Sequence, residues 1–458
     1  MSVPNQVIDQ RAEELLGQER RRFEERTPKS KALYERAEAS MPFGVTSSFQ
    51  AGDPYPIYLT GGKGSRVQDV DGHSYIDYHN GFGSMAAGHA HPKVREAIEK
   101  AAETGTHFAA TTETAVLLAE ELKRRFGIEK VRFTNSGTEA TMDAVRLARA
   151  AAGKDILLKM EGSYHGHHDA VMYSIIPSMD SGGPSERPWT VPFSRGIPAG
   201  EADGTKVVSF NDPEALEETL QEHGDRIGAL IMEPIMMNIG IVMPLPGYLE
   251  RVRELCTEHG VLLIFDEVKT GVTVAPGGAT ELFGVQPDLL CLAKSIGGGT
   301  PIGAFGGRAD IMDEITKGVA ALGTFNGNPL SMGAALATLT EVLTPDAYEH
   351  LAKLGTRLAG GTQEILDRHG IKAVTTDLGC KGSITFRDKP IERYRDFAEV
   401  DDSLFDAYWF WSVNRDLYQT PGKEEQWTIS AQHSEADIDY TLDVFENYCE
   451  LVAPEGGS

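Results

Sequence analysis

Apolar residues fall along this chain in two rhythms. In its middle they come as short runs without alternation, over residues 155–160, 206–210, 227–232, 261–265 and 289–293. Runs that are continuous rather than alternating predict strands covered on both faces, as in a mostly parallel sheet. Between the runs the period becomes helical. A helix is predicted from Pro92, a second from about residue 112 to Phe126 with Gly127 as its stop, and a third from Pro246 to His259 with Gly260 as its stop. The helix after Asn135-Ser-Gly-Thr-Glu sets Ala140, Ala144, Leu147 and Ala151 on one face. A longer helix is expected from about residue 328 to 343.

The flanks read differently. Residues 9–39 carry dense mixed charge with sparse apolar positions, which predicts two surface helices broken near Thr27-Pro28. Short strands follow over 57–59, 64–70 and 74–78, with a hairpin turn at Asp71-Gly72. Beyond about residue 346, helix and short-strand signals mix in the manner of an α+β lobe. The fold class is therefore α/β. We expect an N-terminal segment over 1–80 contributing to a small domain, a large domain over 81–340 and a C-terminal small domain over 341–458.

Length and charge narrow the function. With 458 residues the chain is long enough for a large core plus a smaller unit. Its net charge of -25 makes nucleic acid and anionic membrane surfaces poor partners. No apolar run approaches 18 residues, and the polar N-terminus lacks the apolar stretch of a secretory leader. Cys256, Cys291, Cys380 and Cys449 are widely spaced, which suits reduced thiols in a cytoplasmic setting rather than a disulfide frame or a zinc site.

Candidate chemistry gathers at the ends of the apolar runs. Leu289-Leu-Cys-Leu-Ala-Lys294 leads straight into Gly297-Gly-Gly. A lysine at the end of a buried run loses charge easily, and the neutral amine attacks carbonyls. A solvated lysine at a strand end fits the same letters. Asp266 ends the run 261–265, where open α/β sheets bind ligands; a plain helix cap fits too. Ser136, Gly137 and Thr138 open a helix and offer hydroxyls and free N–H groups to a phosphate, or simply cap it. Tyr164 and His165 lie in Gly162-Ser-Tyr-His-Gly-His-His-Asp169, where an aromatic could stack on a flat ring. The histidines there lack companions at metal-ligand spacing, so no metal is expected. A nucleotide-binding dehydrogenase is excluded, since no GxGxxG follows an early strand. Together the four features match the contacts that pyridoxal 5'-phosphate (PLP) requires.

The ordered motifs resemble the class III aminotransferases of PLP fold type I, closest to the glutamate-1-semialdehyde 2,1-aminomutase-like branch. They are Asp69-Val-Asp-Gly-His-Ser-Tyr-Ile-Asp-Tyr78, Gly88-His-Ala-His-Pro92, Arg132-Phe-Thr-Asn-Ser-Gly-Thr-Glu-Ala-Thr141, Gly162-Ser-Tyr-His-Gly166, Phe265-Asp-Glu-Val268, Ala293-Lys-Ser-Ile-Gly-Gly-Gly299, Gly303-Ala-Phe-Gly-Gly-Arg308 and Gly323-Thr-Phe-Asn-Gly-Asn-Pro329. The resemblance implies that Lys294 bonds the cofactor aldehyde and moves protons, and that Asp266 holds the pyridine nitrogen protonated. It implies that Tyr164 and Val268 flank the ring, and that Ser136, Gly137 and Thr138 bind the phosphate. Glu233 and Asn238 would line the pocket near the ring oxygen. Thr324 would reach the phosphate of a neighbouring subunit in a homodimer with shared sites. The implied activity is transfer of an amino group between an amine or amino acid and a keto or aldehyde acceptor. The alternatives on this scaffold are a 2,1-aminomutase, a racemase or a lyase. One position departs from the branch: the arginine that grips a substrate carboxylate falls on Gln50 in Met41-Pro-Phe-Gly-Val-Thr-Ser-Ser-Phe-Gln50.

Overall fold

The chain is described by a computed structural model over residues 3–453. The apolar runs become the middle of a seven-stranded sheet. Its order is Lys130–Thr134, Gly303–Gly307, Leu289–Ala293, Leu262–Asp266, Ile227–Met232, Ile156–Met160 and Thr205–Val208. The last five run parallel to one another. Gly303–Gly307 pairs antiparallel with both of its neighbours. Ile156–Met160, Ile227–Met232 and Leu289–Ala293 are buried at every position, which is why polar letters do not alternate through them.

Sequence pattern missed Gly303–Gly307, because Gly-Ala-Phe-Gly-Gly carries no β-branched residue. Crowding explains those letters. A Cβ on Gly303 would lie 2.2 Å from the Ser136 carbonyl oxygen, and one on Gly307 would lie 2.1 Å from that of Asp288. Only glycine lets this strand wedge between its neighbours.

The helices follow expectation with local corrections. Glu113–Phe126 is capped by the Thr112 hydroxyl and ends at Gly127, whose φ is 65°. Gly137–Ala152 buries Ala140, Ala144 and Leu147 against the sheet. Ala151 is exposed, and Ala148 completes the buried stripe instead. The helix expected over 246–259 is shorter, Tyr248–Glu258. The long helix expected to reach residue 343 divides into Pro329–Ala337 and a π-helical turn, Thr338–Val342. Near the break the Thr338 and Thr340 hydroxyls donate to the Ala334 and Leu336 carbonyls, competing with the helix's own N–H groups.

The two ends of the chain meet. Val3–Arg26 and Pro28–Glu38 form the predicted helix pair. The first is more than a surface helix: Phe23 is buried and packs edge-on against Phe410 in Ser403–Val413. Leu59–Lys63, Arg66–Asp69, Ser74–Asp77 and Leu417–Tyr418 form a four-stranded sheet, the last pair parallel. The expected turn at Asp71-Gly72 lies between the second and third strands, with Gly72 N–H donating to Asp69 Oδ1. A third sheet joins Val374–Leu378, Lys381–Thr385 and Trp427–Thr428. No helix among the described residues is long and apolar enough to cross a membrane.

One ion pair ties the C-terminal part to the central sheet. Arg395 grips Glu161 with two bonds of 2.6 and 3.0 Å, and also donates to Gly182 O. The Glu161 side chain is 1% exposed, so its carboxylate has no water to fall back on. Arg395→Ala is expected to cost about 3 kcal/mol of folding free energy, read by denaturant titration. A loss near zero would show that the pair does not join the two parts.

Candidate active site

The carboxyl ends of the central strands open on a cavity of about 840 Å³. Lys294, Asp266, Ser136, Gly137, Thr138, Tyr164, His165, Glu233, Asn238 and Val268 all line it. Thr324 does not; it is exposed on its own chain. Gln50 is also off the wall, while its neighbours Phe49 and Ala51 are on it. The Gln50 side chain folds back to accept from the Ser47 N–H and the Thr46 hydroxyl.

Lys294 directly follows Leu289–Ala293 and sits at φ 51°, a left-handed conformation that lysine rarely adopts. Such strain persists where the surroundings enforce it. Next to it, the Ser295 hydroxyl is buried and bonded to Gly83 O at 2.7 Å. The Lys294 amine makes no hydrogen bond to any described residue. Burial, followed by the nearby Lys269 ammonium, pushes its pKa down to about 7. A free amine that loses its proton far more readily than an ordinary lysine therefore faces the cavity.

Asp266 ends the adjacent strand, with Cys291 as its partner in register. It is buried, and its Oδ2 lies 2.8 Å from His165 Nδ1 while Oδ1 accepts from Val268 N–H at 3.0 Å. The next residue, Glu267, serves structure instead, accepting from the Thr280 N–H and hydroxyl. Glu233 is buried below Tyr164. It accepts from the N–H groups of Tyr164 and Met237 and from Asn238 Nδ2, at 3.1, 2.9 and 2.8 Å. Burial raises its pKa.

At the far end the Ser136 hydroxyl caps Gly137–Ala152 by accepting from Glu139 N–H. The first-turn N–H groups of this helix have no partner within it, as a phosphate site requires. A Cβ on Gly137 would lie 3.0 Å from the Val268 side chain, so the cradle is already as tight as a backbone can make it. At Gly166, φ is 94° and a Cβ would lie 2.6 Å from the Thr138 hydroxyl, so only glycine carries the Tyr164 loop across the helix start.

The residues fit PLP on three counts of geometry: a free amine, a buried carboxylate beyond it and an open helix start between flanking Tyr164 and Val268 side chains. Such a site on a mostly parallel sheet defines a PLP enzyme of fold type I. A sequence model of the class-III aminotransferases matches residues 48–400. The chain belongs to that family, and its cofactor is PLP. It is 40% identical over 421 residues to a glutamate-1-semialdehyde 2,1-aminomutase of Desulfitobacterium hafniense, covering 91% of this chain and 96% of that one. Among solved structures, a glutamate-1-semialdehyde aminomutase of Pseudomonas aeruginosa superposes with a TM-score of 0.88 at 27% identity, covering 96% and 98% of the chains. A transaminase with PLP bound superposes at 0.84 with 34% identity, covering 94% and 99%.

Sequence reasoning missed part of the wall. Lys269 lines the cavity and is buried, donating to Met237 O at 2.7 Å and to Glu425 Oε2 at 3.0 Å. Its signal was present: it lies three residues beyond Asp266, at the end of the same apolar run. Glu424 and Glu425 had none, because Gly422-Lys-Glu-Glu-Gln reads as an ordinary surface stretch.

Loading of the apoprotein with PLP is expected to accelerate as pH rises through about 7 and then level off, since the neutral Lys294 amine is the nucleophile. Stopped-flow absorbance reads this. A rate still climbing near the ordinary lysine value of 10.5 would contradict the depressed pKa.

Proposed function

We propose that this protein moves an amino group on small carbonyl compounds through PLP and Lys294, between neighbouring carbons of one substrate as a 2,1-aminomutase does. The observation that carries the amino-group chemistry is the unbonded, desolvated Lys294 amine on the same cavity as the buried Asp266 carboxylate. The relatives named as aminomutases, which match nearly the whole chain, support the one-substrate version.

PLP, when bound, supplies an aldehyde that joins amines and a ring that draws electrons from the neighbouring carbon. The chain's own residues do the rest. Lys294 Nζ would carry the proton between the substrate carbon and the carbon of the cofactor aldehyde. Asp266 keeps positive charge on the ring nitrogen, and His165 fixes the carboxylate's orientation. Tyr164 and Val268 would flank the ring, Ser136, Gly137 and Thr138 would hold the phosphate, and Glu233 with Asn238 would face the ring oxygen. Thr324, exposed on its own chain, serves the phosphate of a second subunit in a homodimer.

Transamination to a separate keto or aldehyde acceptor is the second reading. One observation favours it: with Gln50 turned into its own loop, no arginine among the described residues lines the cavity to grip a substrate carboxylate. The test is to give protein loaded with pyridoxamine 5'-phosphate glutamate-1-semialdehyde and no other acceptor. The expected product is the isomer with its amino group on the adjacent carbon, over many turnovers. A single turnover that strands the cofactor in its aldehyde form supports transamination, and no amino transfer from any donor sinks both.

Two substitutions probe the machinery. Lys294→Ala is expected to abolish turnover and the borohydride-trapped peptide adduct while PLP still binds. Asp266→Asn, which removes the charge with little change in shape, is expected to lower kcat on the order of 100-fold. Steady-state kinetics with saturating PLP checks both, and near-normal rates in either variant would refute its role.

A further inference from the structure

One carboxylate on the cavity wall is bonded, among the described residues, by nothing but its own backbone N–H. The charged side chains lining it are Lys269, Lys294, Glu233, Asp266, Glu424 and Glu425. Lys294 serves the cofactor aldehyde. Asp266 is held by His165 and Val268, and Glu233 by Tyr164, Met237 and Asn238. Lys269 and Glu425 neutralise each other at 3.0 Å. Glu424 is left.

Its backbone is fixed: the Glu424 carbonyl accepts from Gly240 N–H at 2.9 Å and from Gln426 Nε2 at 2.8 Å. Its carboxylate folds over Gly422, where the missing side chain leaves room, and accepts from no side chain among the described residues. Lys269, the cation that acts on it, is already paired with Glu425. A partly buried carboxylate without a counter-charge is costly, and burial raises its pKa accordingly. Phe49, Phe82, Ile175, Ile176 and Phe193 line the same cavity and suit a hydrocarbon spacer.

We infer that Glu424 selects the substrate by charge: the compound that enters carries a second cationic group, an ammonium on a short hydrocarbon spacer, rather than a free carboxylate at that end. This rests on the amino-group reading above but on neither of its two versions.

The test titrates the cofactor absorbance of the PLP-loaded full-length protein with ethylenediamine and with cadaverine. Each is set against the alkylamine and the ω-amino acid of matched length. At one or both lengths the diamine is expected to bind at least about tenfold more tightly than either match, as for a hydrogen bond to a charged group. Glu424→Gln is expected to reduce that ratio about tenfold, and Glu424→Lys to turn the preference towards the ω-amino acid. Equal binding of diamine and alkylamine at both lengths, or a ratio unchanged in Glu424→Gln, overturns the inference and leaves the amino-group reading standing. No response to any of the amines overturns both.

Discussion

The structure depends on the pairing of two neighbouring parallel strands. Leu262–Asp266 and Leu289–Ala293 run side by side, and each delivers one reactive group at its carboxyl end. Register alone brings the Asp266 carboxylate and the Lys294 amine to the same crevice. Both are desolvated by the apolar runs that lead to them, and desolvation acts on them differently. The lysine answers by losing its proton more readily, with its pKa near 7. The aspartate is instead supplied with donors, His165 and the Val268 N–H. One burial thus yields an amine that readily loses its proton and a bonded carboxylate, the two ends of a PLP site.

Much of this was legible in the letters. Continuous apolar runs announced a parallel sheet, and the lysine and aspartate stood at run ends where such sheets bind ligands. Ser136-Gly-Thr at a helix start and Tyr164 after a strand were each ordinary alone, yet their order along the chain pointed to one cofactor. The illegible parts have physical reasons. Gly303–Gly307 hides as a strand because backbone crowding, not side-chain packing, selects its residues. The π-helical turn at Thr338–Val342 follows hydroxyl bonds that no periodicity encodes. Ala151 continued the helical stripe on paper and lies beyond the sheet in space.

The site's second layer was invisible for a related reason. Lys159 is wholly buried, and its ammonium donates to Ser163 O and Tyr173 O at 3.1 and 2.6 Å, under the loop that carries Tyr164 and His165. A lysine inside an apolar strand reads as an interruption until its carbonyl partners, 4 and 14 residues away, are seen. Glu233 and Asp266 hold the same loop from the cavity side. Three buried side chains, Lys159, Glu233 and Asp266, thus bond the loop that carries Tyr164.

The cavity's reactive side chains and its rim come from different parts of the chain. The amine, the carboxylate and the helix start belong to the central sheet and its first crossovers. The rim with Pro421, Gly422, Glu424 and Glu425 belongs to the segment between Leu417–Tyr418 and Trp427–Thr428. Leu417–Tyr418 pairs with Ser74–Asp77, and Trp427–Thr428 pairs with Lys381–Thr385. Clamped in two small sheets at its ends, the segment can exchange the residues it presents to the cavity without disturbing strand register in the large one. The loop that bears Gln50 borders the same cavity from the other terminus. A scaffold arranged this way keeps its reaction while its substrate changes. Among the described residues, that cavity wall carries Lys294 and Asp266 but no arginine.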